Sequence, residues 1–148
     1  DGDWLFRDDV AKLFSLADDR YAVMVVKHYH TRDELSKMDG QTQKRYERKL
    51  WSALMLFNCA HRSCRSLDLS YLNTVHRHEL HRFAWCRDFE IGSLPMNWHV
   101  VDMEVAGYHL TLGTPELGVW GSQFDDEWLS YLSEEDRRRC RPMELKIK

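Results

Sequence analysis

Two carboxylates, Asp1 and Asp3, stand at positions i and i+2 directly ahead of the apolar residues 4–6. In an extended segment, side chains two residues apart point to the same side of the backbone. Two such carboxylates with a glycine between them can hold one divalent cation, because hard ions such as Mg²⁺ and Mn²⁺ prefer oxygen ligands. The Asp-Gly-Asp motif therefore predicts a metal site, and its alternative interpretation is a solvated polar turn.

His109 is a second candidate for metal chemistry. It lies in the alternating segment 108–112, which predicts a strand that ends at Gly113. An imidazole suits Mn²⁺ better than Mg²⁺. The alternative is a strand histidine that makes an ordinary hydrogen bond.

Other histidines and the cysteines do not complete a zinc site by spacing. His28 and His30 could offer two ligands on one strand face, but no closed set of four ligands follows from the sequence. The remaining candidates are His76, His78, His81, Cys59, Cys64, Cys86 and Cys140. The cysteines are expected to be reduced thiols of a cytoplasmic protein.

Composition excludes several classes of protein. The 148 residues suit one domain, and the formal net charge of -3 gives no electrostatic case for binding nucleic acid. The longest unbroken apolar stretch, residues 53–57, predicts no transmembrane segment. No Walker, dinucleotide-binding or nucleophile-elbow motif occurs. Six residues each of Trp, Tyr and Phe fit either a core or a sugar-stacking surface.

Strands that alternate with helices predict an α/β fold with a mixed sheet flanked by helices. The Val-rich run 21–27 indicates a strand buried on both faces. Further strands are predicted at 51–59, 100–103 and 108–112, and helices at 8–17, 67–75, 77–85 and 124–140. Residues 31–49 are predicted to be a long loop, and 91–95 a segment that ends in a turn.

The order of several motifs resembles a known family. The chain reads "DGDWLFRDDVAKLFSLADDRYAVMVVKH", then "KMDGQ", "YERKLWSALMLFNC", "LHRFAW", "IGSLP" and "HLTLGTP". This order is similar to the later half of a bacterial glycosyltransferase family of the GT-A type, comparable to glycogenin-like and lipopolysaccharide-galactosyltransferase-like retaining enzymes. The resemblance covers residues 1 to about 120.

The resemblance implies a partial GT-A (nucleotide-diphospho-sugar transferase) fold and a retaining transfer from a nucleotide-sugar, such as a UDP-sugar, to a saccharide acceptor. It also implies that Asp1, Asp3 and His109 bind Mn²⁺ (or Mg²⁺), which bridges the donor diphosphate. Because the family's base-binding strands precede this motif, residues 1–148 are expected to be a single domain from the C-terminal portion of the catalytic domain. Such a portion could be inactive alone and would expose the apolar residues 23–26, causing association.

Charge, position and the resemblance together suggest the rest of the site. Lys27, Arg48 and Lys49 are candidates for contact with phosphate, and Asp88 or Glu90 for orienting an acceptor hydroxyl. The pocket candidates are Trp51, Ser52, Asn58 and Trp85. The chain departs from the family at Leu50 and Ala53, where Asn and Ser are usual.

Two other functions fit parts of the sequence. One is a non-catalytic saccharide-binding or interaction module, in which Trp85, Trp98 and Trp120 line a groove. The other is a phosphatase with an aspartate nucleophile. Leu5 stands where such phosphatases usually carry Thr or Val.

Overall fold

The computed structural model describes residues 4–28, 48, 50–99, 107–109, 114–118 and 120–140. The strands are β1 (Trp4–Phe6), β2 (Val23–Val25), β3 (Met55–Phe57), β4 (Ile91–Ser93) and β5 (Gly107–His109). The helices are α1 (Val10–Phe14), α2 (Arg62–Arg65), α3 (Leu69–Thr74), α4 (Arg77–His81), α5 (Asp125–Ser130) and α6 (Glu134–Arg139). Single 3₁₀ turns occupy Trp51–Ala53, Asp88–Glu90, Met96–Trp98 and Pro115–Leu117.

The central sheet has three strands in the order β3-β2-β4. β2 runs parallel to β4, with Val23 opposite Ile91, and antiparallel to β3, with Val23 opposite Phe57. The chain is thus a small α/β structure with a mixed sheet and helices, which confirms the predicted α/β class and the mixed sheet. Where β2 and β4 end, the parallel pair presents both carboxyl ends at one edge of the sheet, a usual position for ligands in open α/β sheets.

A separate two-stranded ladder joins β1 to β5. The strands are antiparallel, and Trp4 lies opposite His109 while Phe6 lies opposite Gly107. A Cβ at Gly107 would lie 2.4 Å from the carbonyl oxygen of Trp98 and 2.9 Å from the Trp4 ring. Only glycine therefore fits at this position, because the nearest obstacle is a backbone atom.

Both faces of β2 are covered, as predicted for residues 21–27. Met24 and Val26 belong to a cluster with Leu13, Leu54, Leu94 and Trp98, and Val23 and Val25 to a second cluster with Phe83 and Ile91. The expectation that residues 23–26 would be exposed is wrong. β3 and β4 flank the strand, and the two clusters bury its side chains.

The second predicted strand differs from the structure. Residues 51–59 were expected to form a buried strand, but Trp51–Ala53 is a 3₁₀ turn that follows Leu50 in the left-handed region (φ 71°). Within 51–59 only Met55–Phe57 is a strand, and in the described part of the chain it lies at the edge of the sheet with Met55 39% and Phe57 41% exposed. An apolar run alone does not distinguish an edge strand from a central one.

Residues 91–95 contain β4, in which Gly92 leaves no room for a Cβ, since it would lie 2.6 Å from the Tyr21 ring. The 3₁₀ turn Met96–Trp98 follows directly, in keeping with the predicted turn. Two expectations about helices differ from the structure. The long helix 124–140 is instead α5 and α6, because the hydroxyl of Ser133 accepts from the backbone N–H of Asp136 and caps a new helix. The helix predicted at 8–17 is limited to α1, where Phe14 is 62% exposed.

The other predicted elements fall into two groups. α3 and α4 confirm helices within 67–75 and 77–85, and β5 confirms part of the strand 108–112. The loop 31–49, except Arg48, and the strand 100–103 lie outside the described residues. Within the described ranges, no helix combines the length and apolar character needed to cross a bilayer.

Candidate functional site

Lys27 and Arg48 approach the same indole ring just beyond β2. The Nζ atom of Lys27 lies 5.6 Å from the centroid of the Trp51 ring, and Cζ of Arg48 lies 5.7 Å from it. Both distances are within the range of cation–π attraction. With Asp88, which pairs with Arg48, these residues form what we call the cation–tryptophan cluster.

Arg48 is held from two sides. Its Nη1 donates a hydrogen bond of 2.6 Å to the carbonyl oxygen of Arg82, and its Nη2 donates to Oδ1 of Asp88. The Arg48 side chain is only 22% exposed, whereas the Asp88 side chain is 87% exposed. The guanidinium is therefore anchored to the protein, and the carboxylate reaches it from the solvent.

The electrostatics of the cluster affect Lys27. Burial lowers the pKa of Lys27 below its ordinary value, the charge of Arg48 lowers it further, and Asp88 opposes these effects. The ammonium donates a hydrogen bond of 2.8 Å to the carbonyl oxygen of Ile91. Two cations thus share a partly buried position with one carboxylate, and a further negative charge placed here would stabilise the charged Lys27.

A row of aromatic rings connects this cluster with β1. The Trp51 indole N–H donates a hydrogen bond of 3.0 Å to the carbonyl oxygen of His28. The ring of His28 contacts His99 edge-on at 4.2 Å between centroids, and His99 contacts Trp4 edge-on at 4.7 Å. The site therefore extends from the carboxyl end of β2 to the strand that follows the Asp-Gly-Asp motif.

His99 is the part of this row that sequence reasoning missed. It is fully buried, follows the 3₁₀ turn Met96–Trp98, and has no repeating pattern around it in the sequence. For His28 the sequence predicts only a zinc-ligand role together with His30, and His30 lies outside the described residues.

Ser52 and Trp85 lie beside the cluster. Oγ of Ser52 and Nδ1 of His81 share a hydrogen bond of 2.9 Å, which ties the turn after Leu50 to α4. Trp85 stacks on Phe57 with ring centroids 6.0 Å apart. Phe83 contacts both tryptophans, at 6.4 Å from Trp51 and 6.2 Å from Trp85. The two indoles are thus packed on a common buried ring.

Asn58 makes its contacts where β2 begins. Its backbone N–H donates to the carbonyl oxygen of Ala22 at 2.9 Å. Its side chain accepts from the backbone N–H of Ala60 at 3.1 Å and donates to the carbonyl oxygen of Asp19 at 3.4 Å. The structure therefore places Asn58 in the turn after β3 and gives it partners that differ from those of the cation–tryptophan cluster.

Glu90 lies in an internal network. Its Oε2 accepts from the backbone N–H of Arg87 at 2.8 Å and from the Ser63 hydroxyl at 2.9 Å, and its Oε1 accepts from Arg62 at 3.2 Å. The hydrogen bond from the backbone N–H of Arg87 does most to lower the pKa of Glu90 to about 2, and burial acts in the opposite direction. The hydrogen bonds from Ser63 and Arg62 lower the pKa further. The carboxylate connects the 3₁₀ turn Asp88–Glu90 to α2. Its role toward an acceptor stays a prediction.

The predicted metal ligands are only partly described. Asp1, Asp3 and the phosphate candidate Lys49 lie outside the described residues, and for His109 the structure defines the backbone, which belongs to β5. In the described part of the chain, no three His, Cys, Asp or Glu side chains are grouped as metal ligands. The four cysteines are free thiols.

The tryptophans of the alternative saccharide groove do not share one surface. Trp98 is only 3% exposed and belongs to the core cluster with Met24 and Leu94, so it is not available as a groove wall. Trp85 is half-buried, and Trp120 is exposed. The predicted groove is therefore wrong at Trp98.

Comparison with known proteins finds a plant relative. The chain is 37% identical over 146 residues to "Protein CDI" of Arabidopsis thaliana. The match covers 90% of this chain and 56% of that protein, so the chain spans little more than half the relative's length. No protein-family model matches the chain. No solved structure matches it.

Proposed function

We propose that the chain is part of a metal-dependent glycosyltransferase of the GT-A type. It would transfer a sugar from a nucleotide-sugar donor, a UDP-sugar, to a saccharide-type acceptor with retention of the anomeric configuration. The observation that carries this proposal is the pairing of Trp4 with His109 in the ladder between β1 and β5.

The pairing matters because Trp4 directly follows Asp3 in the chain. Opposed residues of an antiparallel ladder have Cα atoms about 4.5–5.5 Å apart. This register pairs the histidine that the sequence assigns to metal binding with the residue that directly follows Asp3 in the chain. Carboxylate oxygens and an imidazole nitrogen form a donor set that suits Mn²⁺. A bound Mn²⁺ would neutralise the charge that develops on a departing nucleoside diphosphate.

The cation–tryptophan cluster supports the same proposal from the other end of the aromatic row. Lys27 and Arg48 are suited to phosphate oxygens, and Arg recognises such groups with paired donors. The Trp51 ring offers an apolar wall next to these cations. Of the two acidic candidates, Asp88 is the better placed to meet an acceptor, because its side chain is exposed whereas Glu90 is buried.

A thermal-shift titration tests the proposal. Mn²⁺ is added with and without UDP to the chain and to an Asp1→Ala/Asp3→Ala variant. A ligand that binds the folded state raises the melting temperature, with about 2.7 kcal/mol of stabilisation at a hundredfold excess over Kd. We expect a rise with Mn²⁺ that UDP enlarges and that the variant loses.

The matched control is Asp19→Ala/Asp126→Ala, which removes two exposed carboxylates elsewhere and should keep the full response. His109→Ala should weaken the Mn²⁺ response. A wild-type chain that shows no response at millimolar Mn²⁺, with or without UDP, would contradict the proposal.

A further inference from the structure

We infer that Asp88 occupies the place of a ligand's oxyanion on Arg48, and that ligand binding exchanges one for the other. The oxyanion would be a phosphate of the donor or the carboxylate of an acidic sugar. The inference deepens the proposed function, on which the choice of these ligands rests. It assigns Arg48 two successive partners: Asp88 before binding and the oxyanion of the ligand afterwards.

The first argument is the asymmetry of the ion pair. Arg48 is anchored by its hydrogen bond to the carbonyl oxygen of Arg82, and this bond does not involve Asp88. Asp88 contacts Arg48 through a single pair of atoms, Nη2 and Oδ1. A guanidinium can bind a carboxylate or phosphate through two parallel hydrogen bonds, so the present contact uses only part of its capacity.

The second argument is that Asp88 can leave without disturbing the backbone around it. The 3₁₀ turn Asp88–Glu90 is fastened by Glu90, which accepts from the backbone N–H of Arg87 and from the Ser63 hydroxyl. The side chain of Asp88 is 87% exposed and belongs to no apolar cluster of the described residues. Rotation of this side chain therefore breaks its ion pair with Arg48 and moves a carboxylate that is already largely hydrated into the solvent.

The third argument is charge balance. Lys27 and Arg48 together carry two positive charges, and Asp88 supplies one negative charge. Both cations lie against the Trp51 ring, which shields that side from water. A phosphate with two negative charges would balance both cations, so it competes favourably with a single carboxylate. The carboxylate of an acidic sugar carries one negative charge, as Asp88 does, so charge balance favours the phosphate.

Calorimetric titration of inorganic pyrophosphate into the metal-free chain tests the exchange. Asp88→Asn removes the competing charge and should tighten pyrophosphate binding by about threefold to fivefold. Arg48→Lys keeps the positive charge but loses the planar donors, so it should bind pyrophosphate more weakly. Asp126→Asn makes the same change of net charge at a distant exposed position and should leave the affinity unchanged.

A titration with glucuronate distinguishes the two ligand sources. Tightening by Asp88→Asn for pyrophosphate alone identifies a phosphate site, and tightening for glucuronate alone identifies a site for an acidic sugar. Equal or weaker binding of both anions to Asp88→Asn would overturn the inference, because Asp88 would then position Arg48 instead of competing for it. An absence of binding of both anions to all variants would overturn it as well.

The test is independent of the metal. Tightening by Asp88→Asn together with no response to Mn²⁺ and UDP would retain the oxyanion site and refute the transferase. A response to Mn²⁺ and UDP without tightening would retain the transferase and refute the exchange. Unfolding curves of each variant verify that the compared proteins are folded, and the exposed position of Asp88 predicts an unchanged Tm for Asp88→Asn.

Discussion

The imidazole of His99 stands edge-on against the indole of Trp4, with 4.7 Å between the ring centroids. His99 follows the turn after β4, whereas Trp4 belongs to β1, so the contact fastens the two-stranded ladder to the segment beyond the central sheet. The two sheets of the described chain are linked here through a buried ring. The strand that follows the Asp-Gly-Asp motif thus depends on His99 for its position.

Replacement of His99 tests this dependence. His99→Ala leaves a cavity between His28 and Trp4, and removal of a buried ring of this size is expected to cost about 2–5 kcal/mol of unfolding free energy. Denaturant unfolding measures the loss. His81→Ala, at an exposed histidine, should cost much less, and similar losses for the two variants would contradict the packing role.

Gly107 should be needed for the ladder between β1 and β5. In Gly107→Ala the new methyl group meets the carbonyl oxygen of Trp98, which cannot move aside as a side chain can. We expect a loss of about 1–3 kcal/mol and a weaker thermal response to Mn²⁺. Gly92→Ala is the matched control, since it crowds the Tyr21 ring in the central sheet but leaves the ladder intact. An equal weakening of the Mn²⁺ response in both variants would show that the ladder has no specific role in metal binding.

Glu90 should make the stability of the fold sensitive to acid. Its pKa is about 2 in the folded chain against an ordinary value of 4.5, so its contribution is fully present above pH 4.5 and is lost as the pH falls toward 2. Gln cannot ionise, so the Glu90→Gln chain takes up about one proton fewer when it unfolds in this pH interval. Its Tm should therefore fall less steeply than that of the wild type between pH 4.5 and 2. At neutral pH its Tm should lie below that of the wild type, because Arg62 loses a charged partner.

Asp18→Asn is the control for this pH profile. The pKa of Asp18 is also about 2, chiefly through its hydrogen bond with Arg20. That partner is two residues away in the sequence and stays within reach in the unfolded chain, so the change in acid sensitivity should be smaller. Parallel Tm profiles of Glu90→Gln and the wild type would show that the network around Glu90 does not control acid stability.

Phe83 should be the packing residue on which the cation–tryptophan cluster depends. It is fully buried between Trp51 and Trp85, in the left-handed region at φ 58°. Phe83→Ala is expected to cost about 3–5 kcal/mol and to weaken pyrophosphate binding, since the Trp51 ring loses its support. Phe89→Ala, at an exposed ring, should change the stability by no more than about 0.5 kcal/mol. Unchanged pyrophosphate binding in a destabilised Phe83→Ala would contradict this role.

Some elements could be predicted because their signals are local. The Val-rich run of β2 indicated a strand buried on both faces, and the segments 67–75 and 77–85 indicated the two short helices α3 and α4. The boundary between α5 and α6 was missed although Ser133 carries its own signal, a serine three residues before Asp136. The edge position of β3 could not be predicted, since it depends on which strands pair beyond it.

The candidate site likewise has features that the sequence alone predicts and features that only the tertiary structure shows. Residue types and spacing by themselves determined the Asp-Gly-Asp motif, the basic character of Lys27 and Arg48 and the aromatic character of Trp51. Only the tertiary structure decided that Arg48 reaches the carbonyl oxygen of Arg82, that Asp88 pairs with Arg48 and that Glu90 turns inward to Ser63. The physical reason is that charge and polarity belong to single residues, whereas burial and pairing depend on contacts between segments that are distant in the chain.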